Sequence, residues 1–351
     1  MNTLETIILI IGCASLPVPS SCLLNALRDY SEDTAMSALY YAKSSYCASP
    51  LISNWTCEPC SNNTHFKVAR CYENSTAGTL AFVGTDDRSI VVGFRGTISV
   101  RNWVEDISYW GTPFPYSDCA GCLVHGGFLG AYDSLRSSVR KTLRGLIEAH
   151  PGLPILITGH SLGGALALLT AVDAISNPPL PPSAIGGAVP HVRLYTFGKP
   201  RVGNPTFAHW VNVLFHSGRH EAYRIVHRRD VVPHLPLVFM GFLHSGHELW
   251  FNYSQPLKYV NCSDMQDAIS PSVAVNEDHN CSFSVHRSSV ADHLWYLGVT
   301  TRCSFNSTVE SNFTSTISDE MLKLVDEEHM QVHYDEYSHN SHATDMAESL
   351  G

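Results

Sequence analysis

Apolar and polar positions along the chain follow two periods. "TLAFVG" (79–84) and "SIVVGFRG" (89–96) are apolar runs separated by the polar turn "TDDR", a pattern that predicts a pair of strands. From 127 to 149 the period changes. Phe128, Tyr132, Leu135, Val139, Leu143 and Leu146 recur every three or four residues, which predicts a helix with one apolar face, stopped by His150, Pro151 and Gly152. "PILIT" (154–158) predicts a short buried strand, and "ALALLTAVDAI" (165–175) a buried helix. A proline-rich loop (177–190), strand "VRLYTFG" (192–198), a helix over 204–216 and strand "AYRIVHR" (222–228) follow, and another helix is expected over 31–46. Strands alternating with helices imply an α/β fold, with a mostly parallel central sheet and helices on both faces. Ligands of such sheets bind beyond the carboxyl ends of the strands, and Ser161, Gly198 and Asp230 all fall just past such ends.

The join between "PILIT" and "ALALL" carries the clearest chemistry. Gly159, Ser161 and Gly163 form a G-x-S-x-G turn between a strand and a helix, which leaves a serine exposed for nucleophilic attack. An unassisted hydroxyl is a poor nucleophile at neutral pH. It needs a histidine to take its proton and a carboxylate to orient that histidine. Asp230, at the end of "AYRIVHRRD", suits the carboxylate, against the plainer reading of a surface partner for Arg228 or Arg229. His234, His244, His247, His279, His286 and His293 all follow it, and residue type alone does not choose among them. His293, in "SSVADHLWYLG", is expected to begin a helix late in the domain. Acyl transfer also needs donors for the developing oxyanion. The backbone N–H of Leu162 is one candidate. Thr97, closing "VVGFRGT", is the other, and it also suits a helix N-cap. In the segment that follows, Val100, Trp103, Ile107 and Trp110 line one stripe, which is either core packing or the apolar underside of a short helical lid over the site.

Together these segments resemble the class 3, fungal-type, triacylglycerol lipase family of α/β hydrolases. The landmarks, in the family's order, are "VVGFRGTISVRNWVED", "VHGGF" (124–128), "ITGHSLGGALA", "YTFGKPRVGN" (195–204), "RRDVVPHLP" (228–236), "HSGHELW" (244–250) and "DHLWYLG" (292–298), spanning roughly 31–303. The resemblance implies a triad of Ser161, Asp230 and His293, an oxyanion hole of Thr97 and Leu162, and a lid after Thr97. It implies a structural role for "HSGHELW". It also implies disulfides Cys47–Cys303, Cys262–Cys281 and Cys57–Cys60. Cys119–Cys122 is a further expected pair, and Cys22 and Cys71 stay unassigned. "LWYLG" departs from the family, which usually has an aromatic pair after the histidine.

Composition adds a compartment. "MNTLETIILIIGCASLPVPSSC" resembles a secretory signal, although its first residues carry Glu5 and no Lys or Arg, so 1–20 is expected to be a signal peptide. Ten cysteines remain after it, an even set that implies disulfides in an oxidising compartment rather than a zinc site. Eight N-x-S/T sequons, at Asn54, Asn62, Asn74, Asn252, Asn261, Asn280, Asn306 and Asn312, avoid the whole 75–251 stretch. Residues 304–351 hold ten Asp/Glu and one Lys, so they carry nearly all of the chain's net charge of −10 and read as an acidic, disordered tail. The near-neutral body, 21–303, has no basic stripe for nucleic acid and no internal run long enough for a membrane span. The tail histidines His329, His333, His339 and His342 could ligate a metal, but scattered histidines usually bind nothing specific. No metal or cofactor is expected, since the triad needs none.

The expectation is therefore a secreted serine hydrolase of lipid esters, acting on triacylglycerol at an oil–water or membrane interface. A phospholipase A1 or a feruloyl or carboxyl esterase would share the landmarks and differ in lid and pocket, because the fold does not set the substrate. A non-catalytic lipid-binding protein would show a broken triad, and every element of the triad is present here. A serine peptidase also exists on this fold but fits the lid less well.

Overall fold

The structure is a computed structural model that describes residues 30–98, 110–179, 190–216, 219–252, 258–262, 277, 280–285 and 288–304. The expected signal segment, Cys22, the lid positions Val100, Trp103 and Ile107, the tail from 305, and His279 and His286 lie outside the described residues.

The chain opens with helix α1 (Glu32–Ser44), capped by the Ser31 hydroxyl accepting from the Thr34 N–H, and a single-turn α2 (Ser49–Ser53). Strands β1 (Lys67–Asn74), β2 (Thr79–Thr85) and β3 (Ile90–Phe94) follow. A small hairpin of β4 (Gly111–Pro113) and β5 (Leu123–His125) leads into the long helix α3 (Gly126–Ala149). Then come β6 (Ile155–His160), α4 (Leu162–Ser176), β7 (Val192–Phe197), α5 (Pro205–His216), β8 (Glu221–His227), β9 (His247–Phe251) and β10 (Val260–Asn261). A last hairpin, β11 (Trp295–Tyr296) and β12 (Val299–Thr300), ends the described chain.

Eight strands form one sheet in the order β1-β2-β3-β6-β7-β8-β9-β10. β3, β6, β7, β8 and β9 run parallel, and β1, β2 and β10 are antiparallel additions at the two edges. Alternation sorts the strand residues between two cores. Val83, Val92, Ile157 and Leu194 face α3, α4 and α5, while Phe82, Val91, Leu156 and Tyr195 face α1. The expected sheet, with helices on both faces, is present. On α3 the buried set is Phe128, Leu129, Tyr132, Leu135, Val139, Leu143 and Ile147. Leu146 sits at the margin, and its neighbour Ile147 takes the core position at the helix end.

β1 and β9 had no strand expectation. β1 is an edge strand bonded on one side only, and its residues are half-buried or exposed with no clean alternation. The disulfides Cys47–Cys303, Cys57–Cys60, Cys119–Cys122 and Cys262–Cys281 are all formed, and Cys71 has no disulfide partner among the described residues.

Candidate active site

Ser161 sits between the end of β6 and the start of α4 with φ +60 and ψ −132, a conformation that costs a non-glycine residue backbone strain. Its surroundings hold it there. The Ser161 N–H donates to the Phe197 carbonyl on neighbouring β7 at 2.9 Å. The flanking glycines permit the close approach: a Cβ on Gly159 would lie 2.2 Å from the Gly163 carbonyl oxygen, and one on Gly163 would lie 2.4 Å from that of Phe94. Leu162 is the first residue of α4, so its N–H has no acceptor within the helix and belongs to the positive end of the helix dipole.

Asp230 lies three residues past β8, carried by a tight turn rather than by the strand itself. It is fully buried. Its Oδ1 accepts from the Val232 N–H at 2.9 Å, which fixes the carboxylate plane, and its Oδ2 accepts from His293 Nδ1 at 2.8 Å. The Tyr296 hydroxyl donates to the same Oδ2. The pairing of Asp230 with Arg228 or Arg229 does not occur: Arg229 reaches Asp292 instead. His293 was expected to begin a helix. It occupies a single 3-10 turn, Ala291–Leu294, because β11 starts at the next residue and the hairpin to β12 leaves no room for a longer helix.

Of the candidate histidines, the described ones other than His293 are engaged elsewhere. His244 Nε2 reaches the Pro233 carbonyl, His247 pairs with Asn261, and His234 stands beside Phe283. His293 alone among them meets the Asp230 carboxylate, and its Nε2 is buried without a hydrogen-bond partner among the described residues. Ser161, expected to stand exposed, is fully buried beneath its surroundings, and its Oγ and the Thr97 Oγ1 lack a hydrogen-bond partner among the described residues. These three atoms belong to the residues expected as nucleophile, base and oxyanion donor, although buried unpartnered atoms such as Ser176 Oγ and the Tyr30 hydroxyl also occur elsewhere in the fold. Trp110, the one lid position among the described residues, is 58% exposed and lays its indole against Gly126, where a Cβ would be 2.1 Å from its Nε1.

Two functional neighbours escaped the sequence reading. Tyr296 was noticed only as a departure from a family pattern. His160, one residue before the serine, packs its ring 4.3 Å from that of His293 and its Nε2 bonds to the His293 carbonyl at 2.8 Å. That carbonyl can only accept, so Nε2 carries the proton, and Nδ1 accepts from the Tyr46 hydroxyl at 2.8 Å. Burial, followed by the nearby His293, holds the His160 imidazole well below the ordinary histidine range, so it stays neutral. Gly198 completes the site at the end of β7. With φ +56 it has no room for a side chain, since a Cβ would lie 2.7 Å from both Asp230 Oδ2 and the Tyr296 hydroxyl.

Residues 91–240 match the family model "Lipase (class 3)". A lipase of Rhizomucor miehei is 35% identical over 262 residues, which cover 73% of this chain and 66% of that protein. A secreted mono- and diacylglycerol lipase A of Penicillium cyclopium is 32% identical over 221 residues, 63% of this chain and 66% of that one. The chain therefore matches just under two thirds of the length of these two relatives. The solved structure of Rhizomucor miehei triacylglyceride lipase superposes with a TM-score of 0.65 at 31% identity, covering 79% of this chain and 99% of that one.

Proposed function

The chain belongs to the class 3 lipase family, with its α/β-hydrolase fold, and on that premise we propose that it is a secreted serine hydrolase that cleaves the ester bonds of triacylglycerol at a lipid–water interface. The observation that carries this reading is the buried Asp230–His293 hydrogen bond, with the His293 ring packed on His160, the residue before Ser161 on its strained strand-to-helix turn.

Ser161 Oγ attacks the ester carbonyl as His293 Nε2 takes its proton, and the Asp230 carboxylate on Nδ1 stabilises the imidazolium that forms. The N–H groups of Thr97 and Leu162, with the Thr97 hydroxyl, receive the oxyanion. Collapse of the tetrahedral adduct expels the glyceride oxygen, protonated by His293. Water, deprotonated by the same histidine, then releases the fatty acid from Ser161. The stripe of Val100, Trp103, Ile107 and Trp110 is the apolar face of a lid that opens onto lipid. That stripe favours a lipid over a soluble ester. Names of relatives support glycerides: one is a triacylglyceride lipase, another a mono- and diacylglycerol lipase.

The test is fatty-acid release by the wild-type protein and Ser161→Ala, on a short-chain triglyceride taken through its solubility limit and on a phosphatidylcholine dispersion. A rate jump as droplets appear, absent in Ser161→Ala, is expected. Turnover without that jump would mark an esterase, and preference for phosphatidylcholine a phospholipase. A folded wild-type protein that releases nothing from either would overturn the reading.

A further inference from the structure

The oxyanion donor Thr97 lies beyond the last residue of β3, so no strand pairing holds it. An oxyanion hole works only if its donors sit at hydrogen-bond distance from where charge develops. Something outside the sheet must fix this short stretch.

Two side chains reach the residues on either side of Thr97 in the chain. Before Thr97, the Tyr46 hydroxyl packs against Gly96 and gives its proton to His160 Nδ1 at 2.8 Å. Tyr46 therefore ties together the residue before the oxyanion donor and the residue before the nucleophile. The fit is close: a Cβ on Gly96 would lie 2.2 Å from the Tyr46 hydroxyl and 2.5 Å from the His160 carbonyl oxygen. After Thr97, the Arg302 guanidinium donates to the Ile98 carbonyl at 3.2 Å. The same guanidinium lies over the Tyr46 ring, 5.6 Å from its centroid. Tyr46 and Arg302 each immediately precede a half-cystine of the Cys47–Cys303 disulfide, which joins positions 256 residues apart and so locks both side chains to one point.

We propose that Arg302 is a positioning residue for the Thr97 hydroxyl, holding the oxyanion loop directly through Ile98 and indirectly through Tyr46 and Gly96. This rests on the serine-hydrolase reading above. Arg302 touches no reacting atom. Its planar, delocalised cation can stack on Tyr46 and donate to a carbonyl at once, which a lysine does less well.

The test is a double-mutant cycle between Arg302→Gln and Thr97→Ala on a soluble short-chain ester, with rates expressed per Ser161 titrated by an organophosphonate so that any misfolded fraction drops out. Arg302→Gln should lower kcat about tenfold and leave KM within about twofold, because the lost interaction serves only the transition state. In the Thr97→Ala background the same substitution should cost only about twofold, since the hydroxyl it positions is gone. Arg302→Lys should fall between, and it carries the same cycle if Arg302→Gln yields no titratable serine. An unchanged kcat, an equal loss in both backgrounds, or a loss confined to KM would overturn the proposal. The wild-type rate and its loss in Ser161→Ala report separately on the hydrolase reading, so a working enzyme with an indifferent Arg302 counts against this inference alone.

Discussion

His160 and His293 stand ring against ring, 4.3 Å between centroids, and share a hydrogen bond through the His293 carbonyl, yet only His293 meets a carboxylate. Neutral His160 is therefore a spacer between Tyr46 and the His293 imidazole. Proton uptake by His160 would turn Nδ1 from acceptor to donor and break its bond from Tyr46.

The same burial penalty gives a pH dependence of stability. His160, His244, His220 and His191 all have pKa values lowered chiefly by burial, that of His220 to about 4. Between the folded-state value and the ordinary 6.5, the unfolded chain binds more protons than the native one. Stability is thus full above about pH 6.5 and declines as pH falls, by up to about 1.4 kcal/mol per pH unit for each such group. His220 lies away from the triad and its Nδ1 accepts from the Val192 N–H at 3.1 Å. His220→Asn keeps an acceptor without a titrating group. Denaturant unfolding at pH 7.5, 6.0 and 5.0 should show a shallower decline for this variant than for wild type; parallel curves would remove His220 from the account.

Gly198→Ala should inactivate without unfolding. The added methyl meets Asp230 Oδ2 and the Tyr296 hydroxyl at 2.7 Å and His293 Cε1 at 3.0 Å, in a left-handed conformation that disfavours any side chain. Relief requires the acid and base to part, and misplacement by an ångström costs about a hundredfold in rate. Ester turnover and circular dichroism of the variant test this together: a kcat within threefold of wild type would show that the acid has room to move.

Much of this site could be read before the fold was seen, and the division follows interaction range. Ser161 was legible because its turn is local: glycines two residues to either side and apolar runs beyond. The β2–β3 pair and α3 were legible because alternation and the 3.6 period are local too. His293 was different. Six histidines lie between Asp230 and the acidic tail, and the distinguishing fact, a 2.8 Å contact across 63 residues, has no local pattern; only the family resemblance chose among them. Tyr296, Tyr46 and Arg302 act through contacts of 66, 114 and 204 residues and left no signal of their own. β1 went unread because an edge strand with no buried face has no period to detect.

A buried ion pair braces the loop after Asp230. Arg201 donates through Nε and Nη2 to both oxygens of Glu277, at 2.9 and 3.0 Å, and through Nη1 to the carbonyls of His234 and Pro236. Burial pushes the Glu277 carboxyl up, but the Arg201 guanidinium beside it outweighs this and holds it below the usual range. Arg201→Met strands a buried carboxylate and should cost about 3–5 kcal/mol in denaturant unfolding. Arg201→Met with Glu277→Leu should recover part of that and no more, because the two carbonyls still lack their donor. Full recovery would mean that those carbonyl bonds contribute nothing.

The sequons among the described residues fall on the flanks of the sheet. Asn54, Asn62 and Asn74 gather at the β1 edge, Asn252 and Asn261 at the β9–β10 edge, with Asn280 beside the Cys262–Cys281 disulfide; all are exposed except half-buried Asn74. An open sheet edge invites pairing with another chain, and bulky glycans would block both edges while leaving uncovered the strand ends beside Ser161 and Asp230. Protein expressed through a secretory route should yield glycopeptides from this set and none from 75–251. Enzymatic removal of the glycans should leave ester turnover per titrated Ser161 unchanged and speed aggregation on mild heating, followed by light scattering. Unaltered aggregation would leave the sugars without a role at the edges. A fall in turnover would mean that one of them reaches the site.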